Sequence, residues 1–223
     1  DVIVGNAYDM RRRPGKKTDR LDAEWISELL AHGLIAPSFV PPPAIAALRD
    51  LTRLRVALVQ SRTQAKNRVG KVLEQANIKL GSVASTIFGA SGRAMLTALV
   101  AGERDPKRLA LLARGRLREK IPQLELALSG GFTEHHGAMI RMMLDQIDML
   151  DRQIGEIEAR VEELLSDAGE DIERLTTIPG VADTAARAVV GEIGRDMSRF
   201  GSANRRASWA GLCPVTTRAE ESG

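Results

Sequence analysis

Apolar residues recur at intervals of three and four along most of the chain, which is the spacing of one face of an α-helix. The pattern predicts a mainly α protein. The longest predicted helix runs from Ala44 to about Asn77, and shorter helices are expected near residues 19–32, 92–101, 106–114, 116–128 and 182–194. The buried stripe of the longest helix is predicted to comprise Leu48, Leu51, Leu54, Leu58, Ala65, Val69, Val72 and Leu73.

A second apolar stripe keeps the three–four spacing over about three and a half heptads. Its positions are Ile140, Met143, Ile147, Leu150, Ile154, Ile157, Val161 and Leu164. Charged and polar residues fill most of the positions between them. This pattern favours a coiled-coil arm, formed within one chain or between the subunits of a homo-oligomer. The alternative is a long amphipathic helix packed on its own domain.

Composition and punctuation divide the chain into four regions, 1–40, 41–130, 131–170 and 171–223. A stiff, proline-rich linker at residues 38–43 marks the first boundary. The chain opens on Asp1–Gly5, which is predicted to be a short buried strand. Because the sequence does not begin with methionine and stops in a predicted loop, we expect a fragment of a longer protein.

Charge and composition narrow the functional classes. The 32 Lys and Arg barely exceed the 29 Asp and Glu, so the distribution of charge matters more than the net value of +3. Residues 11–20 are strongly basic, whereas residues 145–173 are rich in acids. One cysteine, Cys213, excludes an internal disulfide and fits a reducing cytosol. Aromatic residues at 3% argue against single-strand binding by base stacking, and the lack of a long apolar run argues against a membrane span.

Two carboxylates stand three residues apart at the start of the first predicted helix. Asp19 and Asp22 would share one helical face, and that spacing lets both reach one divalent cation such as Mg²⁺. The bases before them suit a polyanion: Arg11, Arg12, Arg13, Lys16 and Lys17. The alternative is a cap, in which Thr18 or Asp19 closes the helix and the acids complement its dipole.

The longest predicted helix carries many bases with almost no acid on the same helix. They are Arg49, Arg53, Arg55, Arg62, Lys66, Arg68 and Lys71. A surface that contacts the backbone of a nucleic acid and an ordinary solvated face are equally good interpretations. In the first case we expect Arg53, Arg62, Lys66 and Arg68 to make contacts.

A tight turn is predicted at Ile178–Val181, between two helices, and is typical of a helix-hairpin-helix element. Glycine allows the turn, and free N–H groups at the start of the next helix can face a DNA phosphate without reading sequence. Pro179, Gly180 and Val181 are therefore predicted nucleic-acid contacts. An ordinary pair of antiparallel helices is the alternative.

Taken together, several segments resemble the IS110-family transposases, the recombinases of a class of bacterial insertion sequences. The segments include Gly15–Trp25, Ser91–Leu96, Ile178–Val181 and Ala207–Pro214. Shorter matches lie at residues 33–34, 38–42, 48–53, 192–194 and 196–200. The likeness covers nearly the whole chain in the family's order.

The resemblance implies a RuvC-like, RNase H-type α/β domain with four acidic Mg²⁺ ligands, and residues 1–40 would be its C-terminal edge. Asp19 and Asp22 match the last two ligands, and the first two would lie upstream of Asp1. Residues 41–130 would be a helical region contacting nucleic acid, and 131–170 the coiled-coil arm. Residues 171–223 would be a truncated transposase domain with a helix-hairpin-helix and a catalytic serine.

Ser222 is the best match for that serine, although its spacing from Pro214 is longer than the family pattern, and Thr216 or Thr217 is the alternative. The resemblance further implies DNA partners (the element's ends and its target), a guide RNA, and a bacterial cytoplasmic, nucleoid-associated location. The expected function is metal-assisted DNA strand exchange through a covalent serine–DNA intermediate, with this fragment alone inactive. The alternative is a non-catalytic nucleic-acid-binding module. A structural coiled-coil adaptor is the weakest alternative, because it leaves the bases and acids unexplained.

Overall fold

The computed structural model describes residues 3–5, 19–35, 40 and 42–196. This part of the chain is mainly helical, which confirms the predicted class. The α-helices, in chain order, are α1 Asp19–Ala31, α2 Pro43–Gln75, α3 Leu80–Val83, α4 Ala90–Val100, α5 Pro106–Ala110, α6 Ile121–Ala127, α7 Glu134–Leu164, α8 Gly169–Thr176 and α9 Asp183–Ile193. A 3₁₀-helix, Gly115–Lys120, precedes α6. The chain divides into two compact units, residues 1–47 with 191–223, and residues 48–190.

In the first unit, α1 begins and ends where the sequence predicted. Gly33 adopts φ +65° and stops the helix, with its N–H donating to Leu30 at 3.1 Å and the Leu34 N–H donating to Leu29 at 2.9 Å. These are the two bonds of a glycine C-cap. No residue of α1 is buried, and the side chain of Leu30 is 53% exposed.

The prediction of a buried strand at the start of the chain is wrong for the residues that are described. Ile3 and Val4 are about half exposed, at 52% and 49%, and only Gly5 makes an isolated bridge. A strand is buried only where neighbouring strands and a covering layer surround it. The described residues provide neither around this segment, so an apolar run alone was insufficient to predict burial.

In the second unit, α2 and α7 lie side by side and run in opposite directions. Arg55 pairs with Glu158 at 2.6 Å, and seven residues further along α2, Arg62 pairs with Asp151, seven residues earlier on α7, at 2.5 Å. Apolar residues from both helices form two clusters between them. One contains Ala65, Val69, Val72, Leu73, Ile140, Leu144 and Ile147, and the other contains Leu48, Ile157, Val161 and Leu165.

The apolar stripe of α7 is therefore buried within its own chain. Most of the predicted heptad positions are buried, and Met143 and Leu164 are partly buried. Leu144, which the heptad pattern left out, is also in the core. The helix pair occupies this stripe, so contact between subunits along α7 would use another face of the helix.

Short helices pack around α4 at one end of this unit. Met95, Leu96 and Leu99 of α4 are fully buried against residues of α5 and α6. The predicted helix at 116–128 is divided, because Pro122 lies at the start of α6 and has no N–H to continue a preceding helix. The short α3 was not predicted, since four residues carry no periodic signal.

Two side-chain caps fix the ends of helices in this unit. At the start of α7 the Thr133 N–H donates to His136 Nδ1 at 3.1 Å, and the Thr133 hydroxyl accepts from the His136 N–H at 3.5 Å. This reciprocal pair is a capping box. Before α5, the Asp105 carboxylate accepts the Lys107 N–H at 3.0 Å. The neighbouring Glu103 carboxylate accepts the N–H groups of Asp105 and Arg104, and these bonds together with the guanidinium of Arg108 lower the pKa of Glu103 below its usual 4.5.

Candidate nucleic-acid interface

Asp19 and Asp22 occupy the first turn of α1, as predicted, and lie on the same side of the helix. Asp19 is exposed and Asp22 is partly exposed. Carboxylate oxygens are the ligands that Mg²⁺ prefers, so the chemistry of this pair fits the ion. Among the described residues no group of three or more His, Cys, Asp or Glu is arranged to hold a metal.

Several predicted site residues lie outside the described residues. They are Arg11, Arg12, Arg13, Lys16 and Lys17, the preferred nucleophile Ser222, and its alternatives Thr216 and Thr217. Thr18, the alternative cap of α1, also lies outside them. The negative charges of Asp19 and Asp22 in the first turn interact favourably with the helix dipole, and they could also attract a cation. Their placement is therefore compatible with a capping role and with a metal-binding role.

The bases of α2 meet acids that sequence periodicity on one helix does not reveal. Arg55 and Arg62 form ion pairs with α7, and Arg93 of α4 pairs with Asp148 of α7. Ion pairing satisfies the Arg62 guanidinium within the protein, so a phosphate would have to compete with Asp151 for it. The signal that could have revealed these pairs was the seven-residue spacing of bases on one helix and acids on the other.

The remaining bases of α2 differ in their surroundings. The Lys66 ammonium lies 5.3 Å from the centre of the Phe88 ring, which is within the range of a cation–π contact. Arg53, Arg68 and Lys71 are exposed. A nucleic-acid strand running along α2 would therefore meet Arg68 and Lys71 without displacing the ion pairs with α7.

The turn between α8 and α9 has the geometry that its sequence requires. The Val181 N–H donates to the Ile178 carbonyl at 3.0 Å, which closes a four-residue turn. Pro179 occupies its second position and Gly180, at φ +87°, its third, which is the pattern of a type II turn. Pro179 and Gly180 are exposed, while Val181 packs against the apolar cluster that contains Leu48.

The start of α9 combines an attractive and a repulsive feature for a phosphate. The first N–H groups of a helix have no acceptor within it, and the first helical bond here runs from Ala186 to Ala182 at 2.9 Å. Asp183, the first residue of α9, brings a negative charge to this end. Its carboxylate pairs with Arg187 at 2.6 Å, which partly neutralises the repulsion.

A cleft of about 300 Å³ lies beside this helix start, between α2, α7 and α9. Arg55 and Arg187 line it together with Glu158, Glu162 and Asp183. The three acids outnumber the two bases in this cleft, so it does not attract a polyanion by charge. The cleft nevertheless places the first turns of α9 next to α2, and so joins two of the predicted contact regions in one unit.

Within the described residues, no helix combines the length and apolar character needed to cross a bilayer. Residues 1–78 match the family model of the DEDD-type IS110 transposase, and residues 172–223 match the model described as transposase of the IS116/IS110/IS902 family. No curated protein and no solved structure matches the chain. The first match contains Asp19 and Asp22, and the second contains the turn at Ile178–Val181.

Proposed function

The chain belongs to the IS110 family of transposases, and from this premise we propose that its parent protein cuts and exchanges DNA strands through a covalent serine–DNA bond. The observation that carries the proposal is the order of the two family matches, with the paired carboxylates of α1 inside the first. The family acts on DNA. The roles that follow are assigned to residues of this chain.

Asp19 and Asp22 are proposed to hold Mg²⁺ together with two acids of a RuvC-like domain whose C-terminal edge is residues 1–40. Bound Mg²⁺ supplies positive charge that stabilises a phosphodiester undergoing displacement. Two carboxylates three residues apart on a helix are presented in fixed relative positions, because the backbone of the first turn sets their separation. Their exposure leaves them accessible to both ion and substrate.

Ser222 is proposed as the nucleophile, with Thr216 and Thr217 as alternatives. Its hydroxyl oxygen attacks phosphorus and loses its proton, the phosphorus–oxygen bond to the neighbouring sugar breaks, and that sugar oxygen takes up a proton. The resulting phosphoserine link conserves the phosphodiester bond for transfer to a second strand. A serine hydroxyl is a weak nucleophile at neutral pH, which explains why the acids and the serine must act on the same phosphate.

Nucleic acid is proposed to bind along the bases of residues 11–17, the exposed face of α2 and the turn Pro179–Val181, in which Pro179 and Gly180 are exposed. On α2, the exposed Arg68 supports contact most directly, and Arg53 and Lys66 are further proposed contacts on the same helix. The turn would act as a helix-hairpin-helix. The nucleic-acid partners are the DNA ends of the insertion sequence, its target DNA and a guide RNA. The location is the bacterial cytoplasm at the nucleoid, and homo-oligomers would form through a face of α7 outside the helix pair.

The deciding experiment uses the full-length parent with Mg²⁺, its element's RNA and labelled DNA. The covalent protein–DNA adduct is measured after denaturation for wild type, Asp22→Asn and Ser222→Ala. We expect no adduct from either variant, while Asp145→Asn and Ser166→Ala, which alter exposed residues that belong in sequence neither to α1 nor to the last fifty residues, retain it. An adduct that survives Ser222→Ala moves the nucleophile to Thr216 or Thr217, and one that survives Asp22→Asn removes that residue from the metal site.

A non-catalytic nucleic-acid-binding module is the second candidate, supported by the exposed bases of α2 and the exposed turn. It predicts steeply salt-dependent binding with no adduct under any condition. Measuring salt-dependent binding of the same labelled DNA beside the adduct assay therefore separates the two functions.

A further inference from the structure

A cleft of about 430 Å³ lies between the start of α4 and the 3₁₀-helix Gly115–Lys120. Three cationic side chains line it, Arg114, Arg116 and Lys120. Its lining residues all belong to the described part of the chain, and none of them is acidic. We refer to it as the basic cleft. Its charge contrasts with the cleft beside α9, where acids outnumber the bases.

Backbone contacts fix the two walls of the basic cleft relative to each other. The Arg114 N–H donates to the hydroxyl of Ser91 at 2.8 Å, and the Lys120 ammonium donates to the Val83 carbonyl at 3.3 Å. The start of α4 also packs closely on the segment before it, because a Cβ added at Gly92 would lie 2.4 Å from the carbonyl oxygen of Ile87. The cations are thus carried by a preformed surface, which lowers the entropic cost of binding.

Within residues 42–196, no carboxylate engages the three cations. None of the ion pairs within residues 42–196 includes Arg114, Arg116 or Lys120. The acid nearest in sequence, Glu119, does not line the cleft. Since all three side chains are exposed, an incoming anion would meet them without first breaking a salt bridge to residues 42–196.

The start of α4 adds hydrogen-bond donors to the same cleft. Gly89 occupies the N-cap position and has no side chain to accept from the first N–H groups of the helix. The residues that carry those groups, Ala90, Ser91 and Gly92, line the cleft. Ser85 and Thr86 contribute hydroxyls, and no aromatic residue lines the described walls. This set of donors suits phosphate oxygens better than bases.

We propose that the basic cleft binds a phosphodiester group in the backbone of a nucleic-acid strand, at a site separate from Asp19, Asp22 and the turn at Pro179. Arg114 and Arg116 provide the long-range attraction, and Lys120 with the first N–H groups of α4 provides short-range donors. The proposal rests on the proposed function only in taking nucleic acid as the ligand. It requires no catalysis, so loss of the serine adduct would leave it standing.

The test measures binding of labelled RNA and labelled DNA of one sequence to the 223-residue chain over a series of salt concentrations. The variant Arg114→Gln/Arg116→Gln/Lys120→Gln should bind the strand roughly tenfold more weakly. The slope of the logarithm of the binding constant against the logarithm of the salt concentration should become shallower by about 2, because each of three lost phosphate contacts contributes about 0.7. The matched control Lys107→Gln/Arg108→Gln/Arg152→Gln removes the same charge from exposed positions outside the cleft and should retain the wild-type slope.

A second measurement needs no variant. In NMR spectra, the backbone N–H signals of Ala90, Ser91 and Gly92 should shift on addition of the strand. Tighter binding of either RNA or DNA would identify the source of the phosphodiester. Equal weakening by both triple variants would reduce the effect to overall charge and overturn the site. Binding without shifts at α4, or complete displacement of the strand by millimolar inorganic phosphate, would overturn it as well.

Discussion

Replacing glycine with alanine at three positions of one unit should have three different effects on stability. Gly180 adopts φ +87° in the turn before α9, and an added Cβ there would meet no atom within 4 Å. Gly155 lies on the exposed surface of α7, also with nothing within 4 Å. Gly92 is buried, and its three nearest atoms all belong to the backbone of Ile87, at 2.4–2.8 Å.

These environments give the expected magnitudes. Gly180→Ala should destabilise by about 1–2 kcal/mol, because only the left-handed backbone is strained. Gly155→Ala should stabilise by about 0.5–1 kcal/mol, because alanine loses less backbone entropy within a helix. Gly92→Ala should destabilise by about 1–3 kcal/mol or more, since a backbone neighbour has to move. Gly180→Asn is the matched control and should cost less than Gly180→Ala, because asparagine tolerates positive φ.

The assay is urea unfolding followed by circular dichroism, with thermal unfolding as a second measure in which each kcal/mol moves Tm by roughly 2–4 °C. All three sites lie in the unit of residues 48–190, so one transition reports on them. If Gly180→Ala is neutral or stabilising, the turn does not have the backbone described here. If Gly155→Ala destabilises, the exposed face of α7 is covered in solution.

Three further outcomes follow from particular contacts. Leu96→Ala should cost about 2–5 kcal/mol in urea unfolding, because the side chain is fully buried; a cost below 1 kcal/mol would contradict the packing of α4. A double-mutant cycle on Arg62 and Asp151 should give a coupling of about 0.2–1 kcal/mol that salt weakens, and zero coupling would remove the α2–α7 pair. Because the pKa of Glu103 is lowered, its charged carboxylate stabilises the fold at pH values above the usual pKa of 4.5, and that stability is lost as the pH falls through the lowered pKa. Glu103→Gln should therefore have a lower Tm than wild type near neutral pH, and the difference should disappear in acid. A difference in Tm that does not change with pH would refute the contact.

The elements of the fold were largely predictable from local sequence. Helix periodicity located α1, α2, α7 and α9 within a few residues, because each buries one continuous stripe. Gly33 and the turn at Ile178–Val181 were predictable because only glycine adopts positive φ at low cost. The first strand was not, since its burial depends on neighbours that local sequence does not specify.

The candidate sites were predictable to different extents. The paired carboxylates of α1 and the turn before α9 arise from spacing within a few residues, so sequence alone places them. The partners of Arg55 and Arg62 lie some ninety to one hundred residues away along the chain, and periodicity on α2 predicted a more open basic face than the structure has. The basic cleft was missed for the same reason, because Ser91 and Arg114 meet only through the packing of α4 against its neighbours.

Sequence alone thus determined which segments are helical and where glycine ends or turns them, because those properties depend on neighbours within a turn or two of helix. It also determined which family the chain resembles, because that resemblance lies in the order of residues along the chain. Tertiary structure decided which charges remain available. Apolar packing brings α7 against α2, and its acids then neutralise Arg55 and Arg62. Packing of α4 against its neighbours leaves Arg114, Arg116 and Lys120 around a cleft without an acid on its described walls. Electrostatic interaction falls with distance through space, and only the fold sets that distance.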